Sequence, residues 1–206
     1  MSQSLPACNY EDVLTKHQSY DDWQQTLLDT VYKLPDTYAP PDLVSTAEAG
    51  LVPDYKLRAL VMPDLAALVQ AAKDAGVPLE LQSAYRSYGY QEKTFQYWID
   101  KQSYEAALKS SARPGHSEHQ LGTAVDFRSS GGPAPWDMED WGQTPAGAWL
   151  AENAWEYGFV MSYPPGKQEI TCYIYEPWHY RYVGKDVAKA VNGSGLTLRE
   201  WLWLEQ

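Results

Sequence analysis

Apolar residues Leu65, Leu68, Val69 and Ala72 recur at the i, i+3, i+4, i+7 spacing of one helix face, with Pro63 placed for a first turn and Gly76 for a stop. Leu79 to Ala84 alternates apolar and polar residues, which predicts a half-buried strand carrying Tyr85-Arg86-Ser87 at its end. Helices are expected from about Tyr90 to Lys101 and around Tyr104 to Lys109. Ser110 to Gly122 then forms a loop that enters a strand over Thr123 to Phe127. Beyond the flexible Ser129 to Pro133 excursion, Thr144 as N-cap and Pro145 behind it open a helix. Its Trp149, Leu150, Ala154 and Tyr157 face inward, and Gly158 ends it. Strands are expected at Phe159 to Tyr163 and Glu169 to Tyr175, joined by the Pro164-Pro165-Gly166 turn, and at His179 to Val183. Helical turns near Lys185 to Val191 and Thr197 to Trp203 close the chain. Helices before and between antiparallel strands indicate an α+β fold: one domain with a central, mostly antiparallel sheet flanked by helices.

Residues 1–50 are polar and turn-rich. Asp21 to Tyr32 is expected to give a short helix, and Leu34 to Leu43 an extended, proline-stiffened stretch. The region reads as an arm packed on a domain spanning residues 51–206. At 206 residues the chain suits one domain and is short for two.

The net charge of −11 and the absence of a basic run argue against nucleic acid as a partner, since phosphate binding needs clustered Lys and Arg. No segment approaches the ~20 apolar residues that span a bilayer. Nine Trp and sixteen Tyr are many for this length; most are expected in the core, and such rings also line grooves for peptides or polymers. No charged segment followed by an apolar one marks an intact secretory signal. Leu5-Pro6-Ala7-Cys8 nevertheless has the small residues before a cysteine that remain when an export or lipoprotein signal is trimmed. The expected location is extracytoplasmic or associated with the cell wall, with a cytoplasmic one as the alternative. In an exported protein Cys8 and Cys172 could form one disulfide pinning the arm to the core; otherwise they are two thiols.

The chemistry concentrates in Ser117-Glu118-His119-Gln120-Leu121-Gly122-Thr123-Ala124-Val125-Asp126 and in Glu176-Pro177-Trp178-His179. Two imidazoles and a carboxylate make a three-ligand zinc set; catalytic zinc sites use three such ligands and leave a corner to water, whereas structural sites are usually closed by thiolates. With only Cys8 and Cys172 in the chain, a site closed by thiolates is not expected. Asp126 lies inside the apolar run Ala124 to Phe127, where a carboxylate is costly to bury unless paired or bound to a cation. Gly122 allows tight backbone where a metal is approached. Glu176, three residues before His179, can lie near a metal without binding it and move a proton. Taken singly, His119 and His179 read as hydrogen-bonded histidines and Glu176 as a solvated turn residue. His116 is set aside as a ligand because a fourth protein donor would displace the water, and His17 has no apparent partner in the arm.

Ser117-x-His119-x-x-Gly122-x-Ala124-x-Asp126, Glu176-x-Trp178-His179 and Ser83-Ala84-Tyr85-Arg86-Ser87-Tyr88-x-x-Gln91 together resemble the VanY-type D-alanyl-D-alanine carboxypeptidases and related L,D-carboxypeptidases. These belong to a zinc-peptidase group with lysostaphin-type and hedgehog-type domains. The resemblance runs from about Leu34 to Gly184 and implies a hedgehog/D,D-peptidase-like fold. It implies His119, Asp126 and His179 as zinc ligands, Glu176 as general base and then acid, Arg86 at the oxyanion, and Gln91 and Ser117 at the peptide's terminal carboxylate.

The implied activity is a zinc-dependent carboxypeptidase, acting as a monomer, that removes a C-terminal D-amino acid, D-Ala foremost, from peptidoglycan stem peptides. The alternatives are an L,D-carboxypeptidase or an endopeptidase with the same metal site and, from another class, a non-catalytic zinc-dependent cell-wall-binding module. Loss of Glu176 or Arg86 would mark that module, and both are present.

Overall fold

The computed structural model describes residues 4–205, so the first three residues of the expected arm and the last of the expected domain lie outside the described residues. In chain order the strands are β1 (Val13–Leu14), β2 (Tyr32–Lys33), β3 (Leu43–Ser45), β4 (Lys56–Arg58), β5 (Leu79–Ser83), β6 (Ala124–Ser129), β7 (Phe159–Met161) and β8 (His179–Tyr182). The helices are α1 (Met62–Asp74), α2 (Tyr88–Lys101), α3 (Tyr104–Ser110), α4 (Pro145–Asn153), α5 (Gln168–Thr171), α6 (Lys185–Ser194) and α7 (Leu198–Leu204). Strands β5, β6, β8 and β7 lie side by side in that order, every neighbouring pair antiparallel, giving the α+β architecture expected.

Strand alternation divides this sheet chemically. Val125 and Phe127 of β6, Tyr180 and Tyr182 of β8 and Leu81 of β5 join one core with Leu65, Leu68 and Ala72 of α1 and Leu150 of α4. Each such leucine, removed from water, contributes about 1.5–3 kcal/mol. The intervening residues Asp126, His179 and Arg181 are buried too, and their period of two places them on the opposite face. One sheet thus presents hydrocarbon to α1 and polar groups to the other side.

Among the described residues, 4–50 hold short strands and 3-10 turns but no α-helix, and several contacts tie them to the rest of the chain. Cys8 and Cys172 form a disulfide across 164 residues, resolving the alternative left open by the sequence. Asp29 and Arg199 make a buried ion pair at 2.7 Å, and Trp23 stacks on Tyr182 with ring centroids 5.5 Å apart. Strand β1 pairs parallel with β2, and β3 antiparallel with β4.

Three expectations need correction. The helix over Asp21 to Tyr32 reduces to a 3-10 turn at Tyr20–Asp22, because the Asp29 side chain accepts the backbone N–H groups of Val31 and Tyr32 and offers the chain a local turn instead. The strand over Glu169 to Tyr175 is absent. Lys167 O accepts from the N–H groups of Ile170 and Thr171 to make α5, and Cys172 in a left-handed conformation (φ 70°) ends it. His17 does have a neighbour: its Nδ1 lies 3.9 Å from Asp22 Oδ2.

Candidate metal centre and its cleft

Asp126 and His179 are direct register partners on β6 and β8, and Ser83 of β5 pairs with Asp126 from the other side. His119 arrives from a 3-10 turn at Glu118–Leu121, opened by Ser117, whose Oγ accepts from the His119 N–H at 3.3 Å. Gly122 ends the turn at φ 72°. A side chain there would press on Arg58, Leu43 and Pro40, so the close approach that needs this glycine is to the arm and the β3–β4 pair, and not to the metal as the sequence suggested.

The candidate ligand atoms of His119, Asp126 and His179 all lie within 4.8 Å of one another. His119 Nδ1 is 2.6 Å from the Ala84 carbonyl, which can only accept, so this nitrogen carries the proton and Nε2 presents a lone pair. That buried Nε2 has no hydrogen-bond partner and faces Asp126 Oδ2 at 3.2 Å. A lone pair opposed to a carboxylate is the arrangement a cation resolves. On the other side His179 Nε2 lies 2.8 Å from Glu118 Oε2, and Nδ1 lies 2.9 Å from Asp126 Oδ1. Two ring nitrogens and one carboxylate therefore converge, and this donor set fits a metal of zinc type.

The electrostatics are those of a buried, charge-rich centre. Burial, helped by the Arg86 charge, lowers His119 to about 4, so the ring is neutral near pH 7. Burial opposes ionisation of His179, but hydrogen bonds to Asp126 and Glu118 outweigh it and push the ring up to about 10; a cation bound there would take the place of the Nδ1 proton. Asp126 is held far below the usual carboxylate range against its burial, by the charge and hydrogen bonding of the two histidines. Glu176 behaves oppositely. Burial is the main cause, with Asp126 and Glu118 adding repulsion, and it rises to about 8 despite His179 and Arg86.

A cleft of about 790 Å³ opens over these residues. Arg86, Ser117, His119, Asp126, Glu176 and His179 all line it. Arg86 Nε is buried without a hydrogen-bond partner, which leaves this guanidinium available to a ligand. Tyr163 stacks on the His179 ring with centroids 4.9 Å apart. One wall is aromatic: Trp178 meets Trp136 edge-on at 6.1 Å, Trp136 meets Trp98 at 6.0 Å, and Trp98 meets Tyr97 at 5.3 Å.

Gln91 is not brought into the cleft. It is 1% exposed on α2, and its Nε2 donates to the Ala112 carbonyl at 2.7 Å, so it braces a lining residue from behind. His116 turns toward the arm, with Nδ1 2.8 Å from Asp29 O and Nε2 3.0 Å from Asp12 Oδ1. The sequence reading assigned no role to Glu118, Ser162 or Arg181, which form a buried polar chain behind His179. Arg181 could have been found, since two residues beyond His179 on a strand is the same face. Glu118 gave no signal, because a glutamate in a polar loop reads as solvated.

A Bacillus subtilis (strain 168) protein with a provisional carboxypeptidase name, YodJ, is 38% identical over 180 residues, 85% of this chain and 65% of that protein. The D-alanyl-D-alanine carboxypeptidase of Enterococcus faecalis (strain ATCC 700802 / V583) is 38% identical over 155 residues, 71% of this chain and 55% of that protein. The chain thus spans less than two thirds of the length of these relatives. Among solved structures, the LdcB LD-carboxypeptidase superposes with TM-score 0.75 at 33% identity, covering 94% of this chain and 97% of that one. A mutant of the vancomycin-resistance D,D-pentapeptidase VanY in complex with Zn(II) gives TM-score 0.75 at 32% identity, covering 87% and 99%. The VanY D-alanyl-D-alanine carboxypeptidase profile matches residues 54–185, which include every residue of the convergent centre, and the chain belongs to that family.

Proposed function

We propose that this chain is a zinc-dependent carboxypeptidase that removes the C-terminal D-Ala of peptidoglycan stem peptides. The observation that carries the reading is the convergence of His119 Nε2, His179 Nδ1 and the Asp126 carboxylate at the floor of a cleft that also holds Glu176 and an unpaired Arg86. The Zn(II) complex of the related VanY supports zinc as the ion these three residues hold. Bound by these three residues, zinc would supply Lewis acidity at the scissile carbonyl and lower the pKa of a water molecule toward roughly 7.

The chain's own residues do the rest. Glu176 takes the proton of the attacking water and passes it to the departing amine. Its buried position in the cleft beside the candidate ligands suits both halves of that task. Arg86 places a fixed positive charge where the carbonyl oxygen becomes an oxyanion. Ser117, in the cleft wall, is assigned to the peptide's terminal carboxylate, and Gln91 supports that wall through Ala112.

The likeness to LdcB, which extends over nearly the whole chain, favours an L,D-carboxypeptidase as the second reading. Mass analysis of products from a defined pentapeptide and tetrapeptide stem separates the two. Loss of D-Ala from the pentapeptide alone supports the D,D reading, and loss from the tetrapeptide alone replaces it with the L,D one. Glu176→Ala is expected to keep zinc while turnover falls by about 10²- to 10⁴-fold, the usual contribution of a proton-transfer group. Unchanged peptide release would remove Glu176 from its role.

A further inference from the structure

Glu118 lies beside a candidate ligand in sequence, yet its side chain serves another. The carboxylate is 4% exposed; Oε2 lies 2.8 Å from His179 Nε2 and accepts from Ser162 Oγ at 2.6 Å, while Oε1 accepts from Arg181 at 3.2 Å. Arg181 is fully buried, and its other terminal nitrogen donates to the Trp23 carbonyl of the arm at 2.6 Å. Burying a carboxylate and a guanidinium is costly, and a carboxylate placed only to neutralise Arg181 would gain nothing from turning one oxygen to an imidazole.

We infer that Glu118 is a positioning residue: it holds the Nε2 proton of His179, so that this ring presents its Nδ1 lone pair to the metal. Arg181 and Ser162 fix the Glu118 carboxylate in turn. An imidazole has two equivalent-looking edges and can bind a metal through either. A hydrogen bond to one nitrogen sets the tautomer, stops the ring from flipping and makes the other nitrogen a better donor. His119 is treated in the same way by a neutral acceptor, the Ala84 carbonyl, so the two rings differ in the charge behind them. The anionic acceptor stands behind His179, and the Trp23 carbonyl extends its support into the arm.

This inference rests on the proposed zinc set, and binding measured without peptide keeps it separate from the question of substrate. The first test uses the zinc-loaded wild-type protein with ¹⁵N-labelled histidine. His179 is expected to show a protonated Nε2 and a metal-bound Nδ1; metal on Nε2 would overturn the proposal. The second compares zinc affinity by competition with a chromogenic chelator. Glu118→Gln and Glu118→Ala are expected to bind roughly 10- to 100-fold more weakly than wild type, as loss of an outer partner does elsewhere. Glu80→Gln, which alters a carboxylate of edge strand β5 paired with Arg128 and outside the cleft lining, is expected to leave affinity unchanged. Folded Glu118 variants that match wild-type affinity would sink the proposal, and if they fail to fold the nitrogen assignment in the wild type decides it. A wild-type protein that binds no zinc would overturn the metal reading itself.

Discussion

Asp126 and His179 sit opposite each other on β6 and β8, and Oδ1 of the first lies 2.9 Å from Nδ1 of the second. Their spacing is set by the pleat and register of the sheet, so two of the three candidate ligands are held by backbone pairing. Asp126→Asn keeps the shape and removes the charge. Zinc affinity is expected to fall by more than the roughly 10- to 100-fold typical of losing an outer partner, measured by chelator competition. An unchanged affinity would exclude Asp126 as a ligand.

Arg86 follows β5, lines the cleft and makes no ion pair among the described residues. Arg86→Lys keeps a positive charge and loses the planar fork. Removing one donor from an oxyanion site typically costs about 10²–10³ in kcat, and a drop of that order is expected with zinc affinity preserved. A rise in KM alone would move Arg86 to ground-state binding.

A pH effect on stability is expected at Asp12, outside the candidate ligand set. The hydrogen bond from His116, reinforced by Lys33 and Arg113 against partial burial, lowers Asp12 from 3.8 to about 2. A carboxyl more acidic in the folded state than in the unfolded one stabilises above the unfolded pKa, and that contribution is lost as pH falls through the folded value. Asp12→Asn is therefore expected to lower the Tm at pH 7, with the gap to wild type closing between about pH 4 and pH 2. A gap that persists at pH 2 would show that Asp12 acts through shape and not charge.

Reducing the Cys8–Cys172 bond removes a cross-link spanning 164 residues. Loss of a native disulfide typically costs about 2–5 kcal/mol, and a decrease of that size in unfolding free energy is expected under reductant or in Cys8→Ser. Cys172 directly precedes Tyr173 and Ile174, which line the cleft, so KM should rise more than kcat falls. Denaturant titration and steady-state kinetics on the same samples check both.

The elements that build the sheet were legible where alternation and local chemistry agreed. Leu79 to Ala84 and Thr123 to Phe127 read as strands and meet Leu79–Ser83 and Ala124–Ser129 in the structure, and Asp126 stood out because a lone carboxylate in an apolar run needs a reason. The 169–175 segment misled because Ile170, Cys172 and Ile174 alternate like a strand. What decides its conformation is the cluster of N–H groups around Lys167 O and a covalent tie to Cys8, neither visible in periodicity. The arm's missing helix has a local cause, Asp29, whose turn-forming bonds compete with the helical ones. Glu118 stayed hidden because its partners His179 and Arg181 lie more than sixty residues away, so its burial follows from tertiary structure alone.

The edge-to-face series from Trp178 through Trp136 and Trp98 to Tyr97 gives the cleft an optical property. Three indoles in near contact exchange excitation, and Trp136 is 37% exposed at the mouth. Anything that enters the cleft changes the polarity seen by the series, so occupancy is readable from intrinsic emission, without a label and without turnover.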